Sequence, residues 1–165
     1  MSHLPTLGCS QEFDAIVVGA GFAGLYMLHR LRQQGMKVRV IERGEGVGGT
    51  WYWNRYPGAR CDVESLDYSY KFDDQLQQEW EWAERYAAQP EILKYLNHVA
   101  DRFALRHDIQ FSSSVISADY DEKSGRWLIR TAQAEQYSAR YFVAATGCLS
   151  VPNEPNYPGQ ERFLG

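Results

Sequence analysis

The sequence predicts an α/β fold that begins with a strand, a glycine-rich turn and a helix. An apolar run at 13–18 is followed by the turn Gly19-Ala20-Gly21-Phe22-Ala23-Gly24 and by a helix-like stretch to residue 34. A second apolar run at 37–41 completes a βαβ unit. The glycines permit a tight turn and close backbone approach, and the helix N-terminus offers free N–H groups to a pyrophosphate. The pattern therefore predicts a Rossmann-like dinucleotide-binding domain, although six letters alone also suit an ordinary glycine-rich βα loop.

The other elements are predicted from periodicity and turn residues. Gly35 stops the first helix, Pro90 suits the first position of another, and Lys123-Ser124-Gly125 suits a strand-joining turn. Residues 1–12 mix Pro, Gly, Ser and Gln and predict a flexible tail. The predicted elements are strand 13–18, helix 22–34, strand 37–41, a long loop without regular structure at 43–60, irregular structure with short helices at 61–88, helix 89–104, strands 109–111, 114–121 and 126–131, and a buried strand at 141–147.

Composition excludes several classes of function. A net charge of −4 gives no reason to expect nucleic acid or an anionic membrane as a partner. No run approaches the ~20 apolar residues that span a bilayer, and the N-terminus lacks the basic region of a signal peptide. Cys9, Cys61 and Cys148 lie far apart, which predicts no metal site and a cytoplasmic location. Cys148 is interpreted as a buried neutral thiol.

Glu42 narrows the choice of dinucleotide. It ends the second strand about 20 residues after the glycine turn, where a carboxylate can accept both hydroxyls of an adenosine ribose. An acid at this point disfavours a 2′-phosphate, so FAD or NAD is favoured over NADP at this site. Without the glycine turn, Glu42 would suit a solvated strand end.

The loop from Gly48 to Asp62 carries the most unusual chemistry. Paired glycines let the backbone approach a flat ring or a phosphate, and the loop's aromatic side chains can exclude water. Arg55 and Arg60 are cations that can hold phosphates or a nicotinamide amide. Asp62 follows as an isolated acid in aromatic surroundings. The alternative interpretation is an aromatic plug of the core with an acid at the surface.

This loop resembles the long fingerprint of Baeyer–Villiger monooxygenases, Gly-Gly-x-Trp-x-x-x-x-Tyr-Pro-Gly-x-x-x-Asp. The sequence around it is similar to that of the steroid and phenylacetone branch of the family, to which cyclohexanone monooxygenases are also related. The resemblance continues through 79–82 and 89–93 to Ala145-Thr146-Gly147 and covers 13–165. The residues that match the fingerprint are Gly48, Gly49, Trp51, Tyr56, Pro57, Gly58 and Asp62.

The resemblance implies an FAD-binding domain of an NADPH-dependent enzyme. In that family reduced FAD reacts with O2 to form a C4a-peroxide, which converts a ketone into an ester or lactone. Asp62 is implied as the catalytic residue, near the flavin N5 edge, where it orients an arginine absent from this chain. The other implied cofactor contacts are Gly19, Gly21, Ala23 and Gly24 to the pyrophosphate, Glu42 to the ribose, Gly49, Thr50, Trp51, Tyr52, Trp53 and Tyr68 to the flavin, Val115 to adenine, and Arg60 and Cys61 to the nicotinamide.

The last three residues, Phe163-Leu164-Gly165, match the start of the family's second fingerprint, Phe-x-Gly-x-x-x-His-x-x-x-Trp-Pro. We therefore expect 13–165 to be a partial FAD-binding domain, incomplete at its C-terminus, with the NADPH-binding domain and C-terminal part absent. Alone, it is expected to retain FAD weakly, to leave NADPH unoxidised and to dissolve poorly. Two alternatives stay open: an N- or S-oxygenating flavin monooxygenase, and a non-catalytic FAD-binding fragment.

Overall fold

The computed structural model describes residues 11–164 of the chain. Most of the predicted tail lies outside the described residues, but its last two positions, Gln11 and Glu12, belong to the first strand. The elements in chain order are β1 (Gln11–Val18), α1 (Phe22–Gln33), β2 (Val38–Ile41), α2 (Thr50–Trp53), α3 (Asp74–Glu79), α4 (Gln89–Arg102), β3 (Ile109–Gln110), β4 (Val115–Asp121), β5 (Arg126–Thr131) and β6 (Gln136–Ala144), with 3-10 turns at Arg106–Asp108 and Gln160–Arg162.

The strands form a single six-stranded sheet in the order β3-β2-β1-β6-β5-β4. The strands β3, β2, β1 and β6 are parallel, whereas β6, β5 and β4 run as an antiparallel meander. The predicted α/β class, with a parallel sheet, helices and a small meander, is confirmed. Because β2 and β6 flank β1, the carboxyl ends of three parallel strands meet at one edge of the sheet.

Alternate residues of the central strands face two separate apolar clusters, as the period of two in a strand requires. Val17 and Val40 point toward α1 and α4, whose Leu28 and Leu96 are fully buried in the same cluster. On the other face, Ile16 and Ile41 pack with Ile129 of β5 and Tyr137 of β6. The sheet is thus buried on both faces near β1, which holds the turn after β1 in a rigid frame.

The loop predicted at 43–60 contains a short helix, α2, that the sequence did not indicate. Gly49 precedes α2 with a φ of +53°, and its carbonyl accepts the Trp53 N–H at 3.2 Å. Trp51 turns inward from this single turn and is buried. A helix of four residues is too short to show a period, so burial of Trp51 rather than a local pattern selects it.

The strand predicted as buried at 141–147 is partly exposed instead. It begins earlier, at Gln136, and Tyr141 is 48% exposed. In the described part of the chain, β5 pairs with β6 only between 136 and 139, so the upper half of β6 has a neighbour on one side alone. The prediction that Cys148 is buried is also wrong, since its side chain is exposed beyond the end of this strand.

Candidate functional site

Strand register brings three distant turns together at the carboxyl edge of the sheet. Val18 pairs with Ile41 on one side and with Ala144 on the other. The Gly19 N–H donates to the Ile41 carbonyl at 2.9 Å, and the Ala145 N–H donates to the Val18 carbonyl at 2.9 Å. The glycine turn, Glu42 and the Ala-Thr-Gly turn therefore surround one point, as expected for a ligand crevice in an open α/β sheet.

A cavity of about 500 Å³ opens at this point. This volume lies within the range of small-molecule and cofactor sites. Its walls come from the glycine turn, the end of β2, α2 with the glycines before it, the start of β4 and the chain after β6. The predicted site residues that line it are Gly19, Gly21, Ala23, Glu42, Gly49, Thr50, Trp51, Trp53, Tyr68 and Val115.

Two pairs of glycines allow the backbone segments of this cavity to touch. A Cβ at Gly49 would lie 2.9 Å from the Gly21 Cα, so the turn after β1 and the loop before α2 approach directly. A Cβ at Gly24 would overlap the Gly19 carbonyl oxygen, because α1 starts directly against the turn. Gly24 itself does not line the cavity; the structure gives it this packing position. The helix N-terminus at Gly21 carries no side-chain cap, so its first N–H groups have no side-chain acceptor, and the residues of this first turn line the cavity.

Glu42 is a buried carboxylate with both oxygens engaged by the backbone. It is 5% exposed, its Oε2 accepts the Ala20 N–H at 2.7 Å, and its Oε1 accepts the Gly44 N–H at 2.7 Å. Charge-assisted bonds of this kind compensate the burial of an ionised group. Each carboxylate oxygen retains a further lone pair. Because Glu42 lines the cavity, those lone pairs suit hydroxyl donors of a ligand.

Trp51 and Tyr68 form the aromatic wall of the cavity. The Trp51 Nε1–H donates to the Tyr68 hydroxyl oxygen at 3.0 Å, while Gln89 donates its side-chain amide to the Trp51 carbonyl. Phe22 stands edge-on to Tyr68 with ring centroids 4.7 Å apart. Burial is the main cause that raises the pKa of Tyr68, the Trp51 hydrogen bond opposes that rise, and the nearby acid Asp62 adds a smaller contribution to it. Tyr68 is therefore a neutral phenol that can donate its proton into the cavity.

Besides Gly24, four predicted site residues lie outside the cavity wall. The Tyr52 ring packs against Gly44 and Gly46, and its hydroxyl accepts the Glu45 N–H at 3.2 Å. The other three are the consecutive residues Arg60, Cys61 and Asp62. Arg60 donates to Glu84 and to the Tyr86 carbonyl, each at 2.5 Å, Cys61 is buried in the core, and Asp62 is exposed.

Several lining residues were not predicted from the sequence. Arg43 directly follows the predicted ribose ligand, which was a usable signal. Ser113 and Ser114 precede β4 without any motif. The chain after β6 carried the Ala-Thr-Gly turn, but its lining role depends on where β6 ends. The unpredicted lining residues are Val18, Phe22, Ile41, Arg43, Gly48, Ser113, Ser114, Ala144, Ala145, Thr146, Gly147, Leu149, Ser150 and Val151.

Two classes of site are not found in the part of the chain that the structure describes. Residues 11–164 hold no group of three or more His, Cys, Asp or Glu side chains arranged to bind a metal ion. None of the helices within 11–164 combines the length and the apolar character that crossing a membrane requires. The cavity is formed by backbone amides, the buried carboxylate of Glu42, an aromatic wall, the Arg43 side chain and several hydroxyl side chains.

Comparison with known proteins assigns the chain to a family. A family model described as pyridine nucleotide-disulphide oxidoreductase matches residues 16–164. Over 155 residues the chain is 51% identical to a phenazine N-monooxygenase of Lysobacter antibioticus, covering 93% of this chain and 29% of that protein. Over 152 residues it is 47% identical to an acetone monooxygenase (methyl acetate-forming) of Gordonia sp. strain TY-5, covering 92% of this chain and 28% of that protein.

A solved structure of a monooxygenase is also similar to this chain. The chain superimposes on an oxidized steroid monooxygenase bound to NADP with a TM-score of 0.89 and 59% sequence identity. The match covers 94% of this chain and 30% of that one. The chain thus spans about 30% of the length of the relatives that it matches.

Proposed function

The chain belongs to the pyridine nucleotide-disulphide oxidoreductase family, and on that premise we propose that it binds FAD as part of a Baeyer–Villiger monooxygenase. The observation that supports this most is the cavity at the carboxyl edge of the sheet. It combines a helix N-terminus, the buried carboxylate of Glu42 and the aromatic wall of Trp51 and Tyr68. These three parts match, in order, a pyrophosphate, a ribose and a flat apolar ring.

The residues of the cavity suit the chemical groups of FAD. The close contact of Gly21 with Gly49 leaves a groove of bare backbone, which a Cβ at either position would narrow. The unpaired N–H groups at the start of α1 suit the pyrophosphate. Glu42 suits the ribose hydroxyls because it lines the cavity, each of its oxygens can accept a further hydrogen bond, and two amides set its position.

Once reduced by NADPH, FAD supplies the activation of O2 by which one oxygen atom is inserted beside a ketone carbonyl to give an ester or lactone. The side chains of this chain would do the binding and positioning. Trp51 and Tyr68 exclude water from the flat ring, and the Tyr68 O–H can donate to an acceptor on it. Asp62 is exposed, so we propose that it acts by orienting an arginine from outside this chain. Arg60 beside it would face the nicotinamide of NADPH, whereas the Cys61 side chain is buried in the core and is not part of that contact.

A second candidate function is oxygenation of nitrogen. It is favoured by one observation, since a relative with 51% identity is named a phenazine N-monooxygenase. The fingerprint from Gly48 to Asp62 supports the ketone reaction instead. A panel of ketones, sulfides and aromatic amines, offered with NADPH to a protein of the relatives' length that contains this chain, decides between them. Products from amines or sulfides, with none from ketones, would overturn the ketone proposal.

We also propose a cytoplasmic enzyme of the FAD-binding type in which 13–165 forms only part of the FAD domain. The three widely spaced cysteines suit a reducing compartment. The half-paired β6 suits a domain that is completed elsewhere. For this reason we expect the chain by itself to bind FAD weakly and to leave NADPH unoxidised.

FAD binding by this chain tests the proposal directly. Titration of the purified chain into FAD should quench flavin fluorescence and shift its visible absorption bands. Glu45→Gln, which alters an exposed acid close to Glu42, serves as the control for substitutions of Glu42 and should bind FAD as the unaltered chain does. A flavin spectrum that is unchanged at saturating protein would overturn the proposal. Stoichiometric retention of FAD with oxidation of NADPH would overturn the view that the chain alone is inactive.

A further inference from the structure

The chain after β6 lines one side of the cavity, and few hydrogen bonds hold it there. We call residues 146–151 the strap. The last backbone hydrogen bond before it joins the Ala145 N–H to the Val18 carbonyl. Beyond that point, the bond from Arg43 Nη2 to the Ser150 carbonyl, 3.2 Å long, is the one hydrogen bond found between 146–164 and the rest of the described chain. The position of the strap therefore depends on Arg43.

Arg43 is itself held in place by an aromatic ring. Its guanidinium carbon lies 4.7 Å from the centre of the Trp53 ring, at the end of α2. A guanidinium at this distance over an indole is attracted by the ring face. One side chain thus joins the end of β2, the end of α2 and the strap, and all three border the cavity.

The strap carries two apolar side chains that are exposed to solvent. Leu149 is 64% exposed and Val151 is 80% exposed, yet both line the cavity. Arg43 follows Glu42, so it lies beside the proposed ribose site. Glu42 is occupied by the amides of Ala20 and Gly44, which leaves the Arg43 guanidinium free to reach the strap.

We propose that Arg43 is a positioning residue that holds the strap across the ribose end of the cavity and slows the release of a bound dinucleotide. This inference rests on the proposed function, in which that dinucleotide is FAD. With Arg43 in place, the bound ligand is covered by Leu149 and Val151, and their exposed apolar surface is covered in turn. Without it the strap is anchored only through Ala145, and the ligand can leave past it.

The experiment compares Arg43→Ala with Arg39→Ala, a matched control on β2, the strand that precedes Arg43. Arg39 also lies over an aromatic ring, with its guanidinium 5.4 Å from the centre of Phe13, and donates to the His107 carbonyl at 3.2 Å. It does not line the cavity. Arg43→Gln is included as a second variant, because glutamine keeps a donor but loses the charge and the reach.

Two quantities are measured on each protein. The first is the rate at which flavin fluorescence recovers when a chain–FAD complex is diluted, which reports release. The second is the rate of chymotrypsin cleavage after Leu149, with and without FAD, which reports the strap. We expect Arg43→Ala to release FAD about tenfold faster, the effect of one charge-assisted hydrogen bond. Cleavage at Leu149 should speed up even without FAD, whereas Arg39→Ala should match the unaltered chain in both measurements.

The outcomes separate this inference from the proposed function. If the unaltered chain binds FAD but Arg43→Ala and Arg43→Gln release it at the same rate as Arg39→Ala, the inference is wrong and the proposed function stands. Faster release without faster cleavage at Leu149 also overturns it, because Arg43 would then act on the ligand rather than on the strap. If the unaltered chain leaves the flavin spectrum unchanged, the proposed function is wrong and this inference falls with it.

Discussion

Glu42 and Asp62 are the two acids proposed for the site, and they differ in burial and in hydrogen bonding. Glu42 is buried, and two backbone N–H groups hold its carboxylate at 2.7 Å each. Asp62 is exposed and lies outside the cavity wall. The first acid is positioned entirely by this chain. The second has no fixed partner in the described residues, and its charge only adds to the raised pKa of Tyr68, whose main cause is burial.

This difference shows which part of the site is complete. A buried carboxylate persists only when hydrogen bonds replace its water, so the ribose end must form together with the fold. An exposed carboxylate has no such requirement, and its orientation can be supplied by a partner. We infer that the ribose end is preorganised by this chain, whereas the region around Asp62 takes its final form only against another part of a longer protein.

The largest effect on stability is expected at Gly24, where the start of α1 contacts the backbone of the glycine turn. Gly24→Ala places a Cβ on the Gly19 carbonyl oxygen, and neither backbone can move without shifting β1 or α1. The free energy of unfolding should fall by more than about 3 kcal/mol, the upper range of overpacking. Urea denaturation followed by circular dichroism measures this.

Gly35→Ala is the matched control for that variant. Gly35 also lies next to α1, with a φ of +76°, but a Cβ there meets nothing within 4 Å. Only backbone strain should appear, about 1 kcal/mol. Equal losses for both variants would contradict the contact between helix and turn.

The next effect concerns the carboxylate itself. Glu42→Gln replaces one oxygen by an NH2 group, which must face the N–H of Ala20 or of Gly44. One buried donor is then unpaired, at a cost of about 2 kcal/mol in the free energy of unfolding. FAD affinity should fall as well, because the proposed ribose acceptor is weakened. If Glu42→Gln and the exposed control Glu45→Gln unfold at the same urea concentration, Glu42 is not held as described.

A smaller effect is expected at the aromatic wall. Trp51→Phe removes the indole donor to Tyr68, and since that bond favours the phenolate, the pKa of Tyr68 should rise further above its ordinary value. A Tyr with a raised pKa stabilises the fold below about pH 10 and loses that contribution as the pH increases. Absorbance at alkaline pH, taken as a difference against Tyr68→Phe, follows the titration.

Trp53→Phe is the control for this measurement, since Trp53 stands over Arg43 and donates no bond to Tyr68. Its Tyr68 titration should match that of the unaltered chain. A lower Tyr68 pKa in Trp51→Phe would mean that the indole does not stabilise the phenolate.

The smallest effect is expected at the other acid. Asp62→Asn should change the free energy of unfolding of this chain by less than about 0.5 kcal/mol, as is usual for exposed sites. FAD binding by this chain should also be unchanged, whereas oxygenation by a protein of the relatives' length should fall. A stability loss close to that of Glu42→Gln would remove the contrast between the two acids.

Much of the fold could be predicted because its signals are local. The glycine turn, the helix stop at Gly35 and the turn at Lys123-Ser124-Gly125 each depend on neighbouring residues, and each lies where it was expected. The failures depend on distant residues. The α2 turn forms because Trp51 finds a place in the core, and Tyr141 is exposed because a strand beside upper β6 is not found within 11–164.

The sequence by itself determined the βαβ unit, the acid at the end of β2 and the family, since these depend on residue types at fixed spacings along the chain. Only the tertiary structure decided which residues meet. Strand register places Glu42 beside Ala20 and brings the chain after β6 to the cavity, and the Ala20–Glu42 and Arg43–Ser150 hydrogen bonds span 22 and 107 residues. The physical reason is that a carboxylate must find amides once it is buried, whereas an exposed one need not. Spacing in the sequence names both acids as candidates, but burial alone distinguishes Glu42 from Asp62.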